Sequence, residues 1–161
     1  MANEFDLIDS IAERKDIDAL YRLQNNAVFS ITVYQILNRM HDENPVQLND
    51  HQLTLFLCMH LENAGQSSNI LSCLEDWFPQ YLDKFVPSLR KIDAMKCADV
   101  IEKAISLLSI EKGRFFDYAD EAMKDALTEY DRIFSNYPDG NMPSRYRDYA
   151  VRNQEAITEW T

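Results

Sequence analysis

Apolar residues recur along this chain at intervals of three and four, the spacing that gathers side chains on one face of an α-helix. Ala94 to Ser109 carries the pattern most plainly, with Val100, Ile101, Ala104, Ile105 and Leu108 on one side. Arg114 to Ser135 carries a second stripe, Phe116, Ala119, Met123, Leu127, Tyr130 and Phe134, and reads as one long helix. Near the start, a short helix is predicted over Glu4 to Glu13. Asp16 can cap a longer one whose inward face runs Leu20, Ala27, Val28, Ile31, Tyr34 and Leu37. Its continuity is weakest at Asn25-Asn26, where short polar side chains compete for the backbone.

His41 to Gln47, which contains Pro45, reads as a loop. Asn49 or Asp50 opens the next helix, and Gly65 is placed to end it in the left-handed conformation. Leu53, Leu55, Phe56, Leu57, Cys58, Met59 and Leu61 make that helix apolar nearly all round, as a central helix is. The same residues alternate as a buried strand does, but the two caps and the lack of a partner strand favour helix. Ser67 or Ser68 opens a helix through Trp77, Pro79 permits a further turn, and Pro87 begins a segment toward Ile92. After a turn at Tyr137 to Asn141, Pro143 starts a final helix to about Glu155. The prediction is an all-α protein: one domain, residues 1–161, built as a helical bundle of about six to eight helices.

Charge adds a functional direction. The chain has 161 residues, 46% of them hydrophobic, enough for a real core, and a net charge of -11. Residues 1–83 hold 13 acids against 4 bases, and residues 84–161 hold 14 against 12. That balance argues against direct binding to nucleic acid or an anionic membrane and favours a basic protein partner. Between Arg39 and Lys84 there is no lysine or arginine, while Met40 to Asp83 carries seven carboxylates. A buried centre accounts for part of this gap. Its edges, Asp42 to Asp50 and Glu75 to Asp83, are the parts that can add to a surface field. On the predicted long helix, Asp117, Glu121, Asp125 and Glu129 are four apart, each step about 6 Å along the axis and about 40° around it. Such a row can stand in for phosphates. It is also what the solvated face of an amphipathic helix looks like, and Lys124 and Arg132 interrupt it.

Chemistry of other kinds finds little support. His41-Asp42-Glu43, His51 and His60 are the only candidate metal ligands, with no helical i, i+4 pair among the histidines. His60, inside an apolar helix, reads as a hydrogen-bonded core residue. Cys58, Cys73 and Cys97 read as free, mostly buried thiols of a reducing compartment, and burial makes a thiol a poorer nucleophile. Gly65-Gln66-Ser67-Ser68 lacks the Gly-x-Ser-x-Gly of a nucleophile elbow. No catalytic, cofactor-binding or metal residue is assigned, and an enzyme is not expected. The first residues have no basic region of a secretory signal, and no apolar run reaches the roughly 18 residues of a membrane span, so a cytoplasmic location is expected. Trp77-Phe78 reads as core, with an anchor for a partner as the alternative. Trp160 either docks the terminus or stays exposed, where it can serve a homodimer.

Three stretches resemble one bacterial family, a domain of unknown function whose known member is an acidic DNA mimic that binds a transcription factor. Its Asn-Gly-Gly signature, preceded by an acidic or polar residue, is similar to Leu61-Glu62-Asn63-Ala64-Gly65-Gln66, with Ala64 in place of the first glycine. The segment Ile92 to Ala104 resembles the family's aliphatic-Gly-Ala and following helix. Tyr130-Asp131-Arg132-Ile133-Phe134 and Tyr149-Ala150-Val151-Arg152-Asn153 resemble its acidic-aromatic segment and closing Tyr-x-x-x-Asn. Together they span roughly residues 55–153. The resemblance implies an all-α fold, dimerisation and no cofactor, with Glu62, Asn63, Gly65 and Gln66 as the family motif.

The expectation is an acidic interaction module that occupies the DNA-binding surface of a basic regulator or nucleoid protein. Its partner-binding carboxylates are Asp42, Glu43, Asp50, Glu75, Asp76, Asp117, Glu121, Asp125 and Glu129. Two alternatives stay open: a small enzyme or ligand-binding domain with a polar site around Glu62, Asn63, Gln66 and Asn69, and a structural protein whose acidity serves solubility.

Overall fold

The three-and-four spacing folds as helix throughout. The computed structural model describes residues 3–160 and contains no β-strand among them. In chain order the helices are α1 (Glu4–Arg14), α2 (Ile17–Arg22), α3 (Asn26–Glu43), α4 (Asp50–Ser67), α5 (Phe85–Lys91), α6 (Met95–Ser106), α7 (Phe115–Tyr118), α8 (Glu121–Ser135), α9 (Met142–Arg152) and α10 (Gln154–Ile157). Seven of these have seven residues or more, so the all-α expectation holds. A π-helix covers Ser72–Trp77, and short 3-10 turns lie at Pro45–Gln47, Pro79–Tyr81 and Ile110–Lys112. The helices group into two units: residues through Phe56 with those from Asn141 onward, and Leu57–Gly140.

In the first unit α3 packs on α1 and α9. Its start corrects the predicted long helix. Asn25 Oδ1 accepts the N–H groups of Ala27 and Val28 at 2.8 and 3.2 Å, so a new helix begins there rather than continuing from Asp16. The restart changes the phase. Phe29, Val33, Ile36 and Met40 face inward, while Ile31 is 45% exposed. Phe29 is fully buried, with the Arg147 guanidinium 4.7 Å above its ring and Tyr21 edge-on at 5.3 Å. The predicted loop at His41 to Glu43 is instead the last turn of α3, and the chain leaves it at Asn44, before Pro45.

Polar side chains at the start of α4 hold the C-terminal segment. Asn49 Nδ2 donates to the Ala156 carbonyl at 2.8 Å, and buried Gln52 Nε2 donates to the carbonyls of Ile157 and Glu159. Trp160 docks: its indole N–H donates to Lys15 O, the Lys15 ammonium donates to Trp160 O, and the ring is 4% exposed. The final predicted helix is broken at Asn153, giving α9 and α10.

In the second unit α6 packs on α5 and α8. The N-terminus of α6 is capped from a distance, because Asp139 accepts the N–H groups of Lys96 and Cys97 at 3.1 and 2.7 Å. The predicted helix from Arg114 to Ser135 is two helices. Ala119 is extended, and Asp120 caps α8 by accepting the Met123 N–H at 2.8 Å. Leu127 and Phe134 of the expected stripe are buried, but Phe116, on the far side of the break, is 63% exposed. The helix expected from Ser67 or Ser68 begins later, where Asn69 Oδ1 accepts the Ser72 N–H at 2.9 Å. The α4 core from Leu55 to Met59, with Leu61, is buried and helical, which removes the strand alternative.

Burial makes one pH dependence specific. It pushes the Tyr21 phenol and the Cys73 thiol up to about 12, and burial followed by the nearby Glu62 carboxylate pushes Tyr137 up to about 12. In the unfolded chain these groups lose protons earlier, near 9 for the thiol and 10 for the phenols. The folded state therefore binds more protons than the unfolded state in between, and stability falls as pH rises from about 9 toward 12. A thermal melting midpoint measured against pH is expected to hold to about pH 9 and then decline, less steeply in Tyr21→Phe. An identical decline in that variant refutes the Tyr21 contribution.

Candidate interaction surface

The motif residues build a helix crossing. Gly65 lies within α4 and does not end it, contrary to the left-handed terminus expected there. A Cβ at Gly65 would stand 3.0 and 3.1 Å from two ring carbons of Phe134 and 3.2 Å from Ser135 Oγ. The glycine is thus required by the close approach of α8, not by its own dihedral angles. Around that approach, Ser135 Oγ donates to Gly65 O at 2.9 Å, and Gln66 Nε2 donates to Ser135 O at 2.8 Å. The second bond satisfies a carbonyl that the end of α8 leaves without an intrahelical partner. The Tyr137 phenol donates to the Glu62 carboxylate. Asn63 is exposed, and its backbone carbonyl accepts the Ser67 hydroxyl. Of the four polar side chains suggested as a ligand site, Gln66 and Asn69 thus bond to the protein's own backbone and Glu62 to Tyr137.

The nine nominated carboxylates fall into distinct settings. Asp42 and Glu43 are exposed in the last turn of α3, and Asp50 is exposed in the first turn of α4. Glu75 and Asp76 lie on the π-helix and are tied to Arg114, at 3.4 and 2.6 Å. Glu75 also accepts the Phe115 N–H at 2.8 Å and so serves as a cap for α7. Asp117 is exposed on α7, off the row it was expected to lead, and in the field of Arg114. Glu121, Asp125 and Glu129 remain together on α8. Glu121 meets Lys124 at 3.6 Å, and Glu129 meets Arg132 at 2.6 Å, a hydrogen bond that holds the Glu129 carboxyl below its ordinary range. Asp42, Glu43, Asp50 and Asp125 form no ion pair among the described residues.

Charge is shared between the units. The first holds 12 acids and 7 bases, net -5, and the second 15 acids and 9 bases, net -6. The histidines have separate surroundings. His41 stacks on Phe56 at 4.4 Å, and burial lowers its pKa; His51 Nδ1 meets the Tyr149 hydroxyl at 2.7 Å; His60 lies edge-on to Phe78 at 4.8 Å. Among the described residues no group of three or more His, Cys, Asp or Glu is placed to hold a metal ion. No helix among them is long and apolar enough to cross a membrane.

Beside α8 lies a groove of about 140 Å³, lined by Ile70, Leu71, Phe116, Leu127, Thr128 and Asp131 together with Asn69. Asp131 Oδ1 accepts the Ile70 N–H at 2.8 Å and thereby fixes the chain after α4 against α8.

The family model described as DMP19-like protein matches residues 46–154. That is most of the chain, and it takes in both the glycine crossing and α8. The chain belongs to the DMP19-like protein family. No curated protein and no solved structure matches it.

Two features of this DMP19-like protein escaped the sequence. Glu4, Asp6, Asp9, Glu13, Asp16 and Asp18 are all exposed along α1 and α2. Lys15, one of the three bases in this stretch, is turned to Trp160. A count over residues 1–22 alone, with six acids against three bases, carries that signal. The groove is the second. Its walls come from three separated segments, and no local pattern joins them.

Proposed function

We propose that this DMP19-like protein is an acidic interaction module that occupies the DNA-binding surface of a basic regulator or nucleoid protein. The observation that carries the reading is the set of exposed carboxylates left over once structural duties are subtracted. Glu75, Asp131 and Asp139 cap helices, and Glu121 and Glu129 have cations on their own helix. Asp42, Glu43, Asp50 and Asp125 have neither duty. Asp42 and Glu43 also sit where the carbonyl end of a helix disfavours negative charge. Local stability therefore does not explain these two, whereas a partner's arginines and lysines do. The family match supports the same reading, since the resemblance is to a family with a DNA mimic in it. The three buried cysteines form no disulfide, which suits a reducing cytoplasm.

The test is retention of proteins from a nuclease-treated bacterial lysate on the immobilised chain at low salt. Basic, DNA-binding proteins are expected to be held, to elute as salt approaches about 0.5 M, and to be displaced by duplex DNA. The proposal is overturned if no such protein is held, or if retention ignores both salt and reversal of the four unpaired carboxylates.

A further inference from the structure

We infer that the groove beside α8 takes an arginine side chain of the basic partner, an inference that rests on the function proposed above. Leu71, Leu127 and Phe116 give the groove apolar walls, and Asp131 gives it a charge. Only Oδ1 of that carboxylate is engaged by Ile70. The other oxygen is left as an acceptor beside apolar surface, where a charge-assisted bond is strengthened by partial exclusion of water.

No lysine or arginine lines the groove among the described residues. On α8, Lys124 is turned to Glu121 and Arg132 to Glu129. The Thr128 hydroxyl is likewise committed, donating to Lys124 O at 3.0 Å. The complement of this surface is a side chain with an apolar stem and a cationic head. Arginine fits better than lysine. Its planar guanidinium can stack on the exposed Phe116 ring while donating to Asp131, and its weaker hydration lowers the cost of entry. At about 140 Å³ the groove is small for a drug-sized molecule, whose sites begin near roughly 300 Å³, and suited to one side chain.

The probe is acetyl-Gly-Arg-Gly-amide, titrated into the ¹⁵N-labelled full chain and followed by amide shifts. Peptides with lysine or uncharged citrulline at the centre are the comparisons. The arginine peptide is expected to move the Ile70, Leu71 and Thr128 amides saturably, with lysine about threefold weaker and citrulline inactive. Asp131→Asn keeps an acceptor for the Ile70 N–H and removes the charge, so the fold persists while arginine affinity falls about tenfold. Phe116→Ala removes an exposed ring and also weakens binding. Equal responses to arginine and citrulline, an unchanged affinity in Asp131→Asn, or silent groove amides overturn the inference. If the groove is silent while the immobilised chain still holds basic proteins in a salt-sensitive way, the groove inference alone fails. If the groove takes arginine but no basic protein is held, the proposed function fails and the arginine site stands.

Discussion

Gly65→Leu is expected to destabilise the protein by about 3 kcal/mol. The ring of Phe134 is buried and already within 3.0 Å of where a Cβ would be. The further carbons of leucine have no space unless α4 and α8 separate. Overpacking of this kind costs about 1–3 kcal/mol, and separation also strains the Gln66 and Ser135 bonds, each worth about 1 kcal/mol. The better helix propensity of leucine returns about 1 kcal/mol. Gly65→Ala is the informative companion. Its Cβ asks the Phe134 ring to give only a few tenths of an ångström, and the gain in propensity offsets the crowding, so its stability stays within about 1 kcal/mol of the parent. Urea unfolding followed by tryptophan fluorescence measures both. A leucine variant as stable as the parent shows that the two helices do not depend on this approach.

The contrast at Gly65 illustrates what the sequence carried. A glycine near the end of an apolar helix has two physical uses, a left-handed terminus or a close contact, and its neighbours in sequence are the same in either case. Only Phe134, far along the chain, distinguishes them. Asn25 and Asp120 pose the same difficulty. Each is a short polar residue inside an otherwise helical spacing, and each can sit on a solvated face or turn back to cap a new helix. Both cap. The break before α8 then rotates Phe116 out of the stripe and takes Asp117 off the carboxylate row. Where the apolar face is wide and uninterrupted, as in α6 through Ala104 and the middle of α4, helix and burial were both legible, although α6 stops at Ser106 and leaves Leu108 outside it, half-buried. The candidate surface was legible only as a stock of charge. Which acids are free depends on long-range bonds such as Glu75 to Phe115, Asp131 to Ile70 and Asp139 to Cys97, and no window of the chain contains those pairs.

Reversing Asp42 and Glu43 together is expected to move stability and binding in opposite directions. Both lie in the last turn of α3, where free carbonyls make the helix end negative. A lysine there is favoured by about as much as a carboxylate is disfavoured, typically 0.3–1 kcal/mol each at low ionic strength. The Asp42→Lys, Glu43→Lys variant should therefore be more stable by about 1 kcal/mol, a gain that fades in high salt. Its affinity for a basic protein recovered from the lysate should fall. At about 1 kcal/mol for each attraction turned to repulsion, the loss is at least about tenfold, mostly in the association rate. Adding Asp50→Lys deepens the loss in binding but removes a favourable charge from the first turn of α4, so the gain in stability shrinks. On α8, Asp125→Lys should cost more affinity than Glu121→Lys, because Lys124 already answers Glu121. Urea unfolding and surface-binding kinetics, each at two salt concentrations, separate the two effects. A variant that gains stability and keeps its full affinity places the partner elsewhere. One that loses both shows that these carboxylates hold the fold rather than a partner.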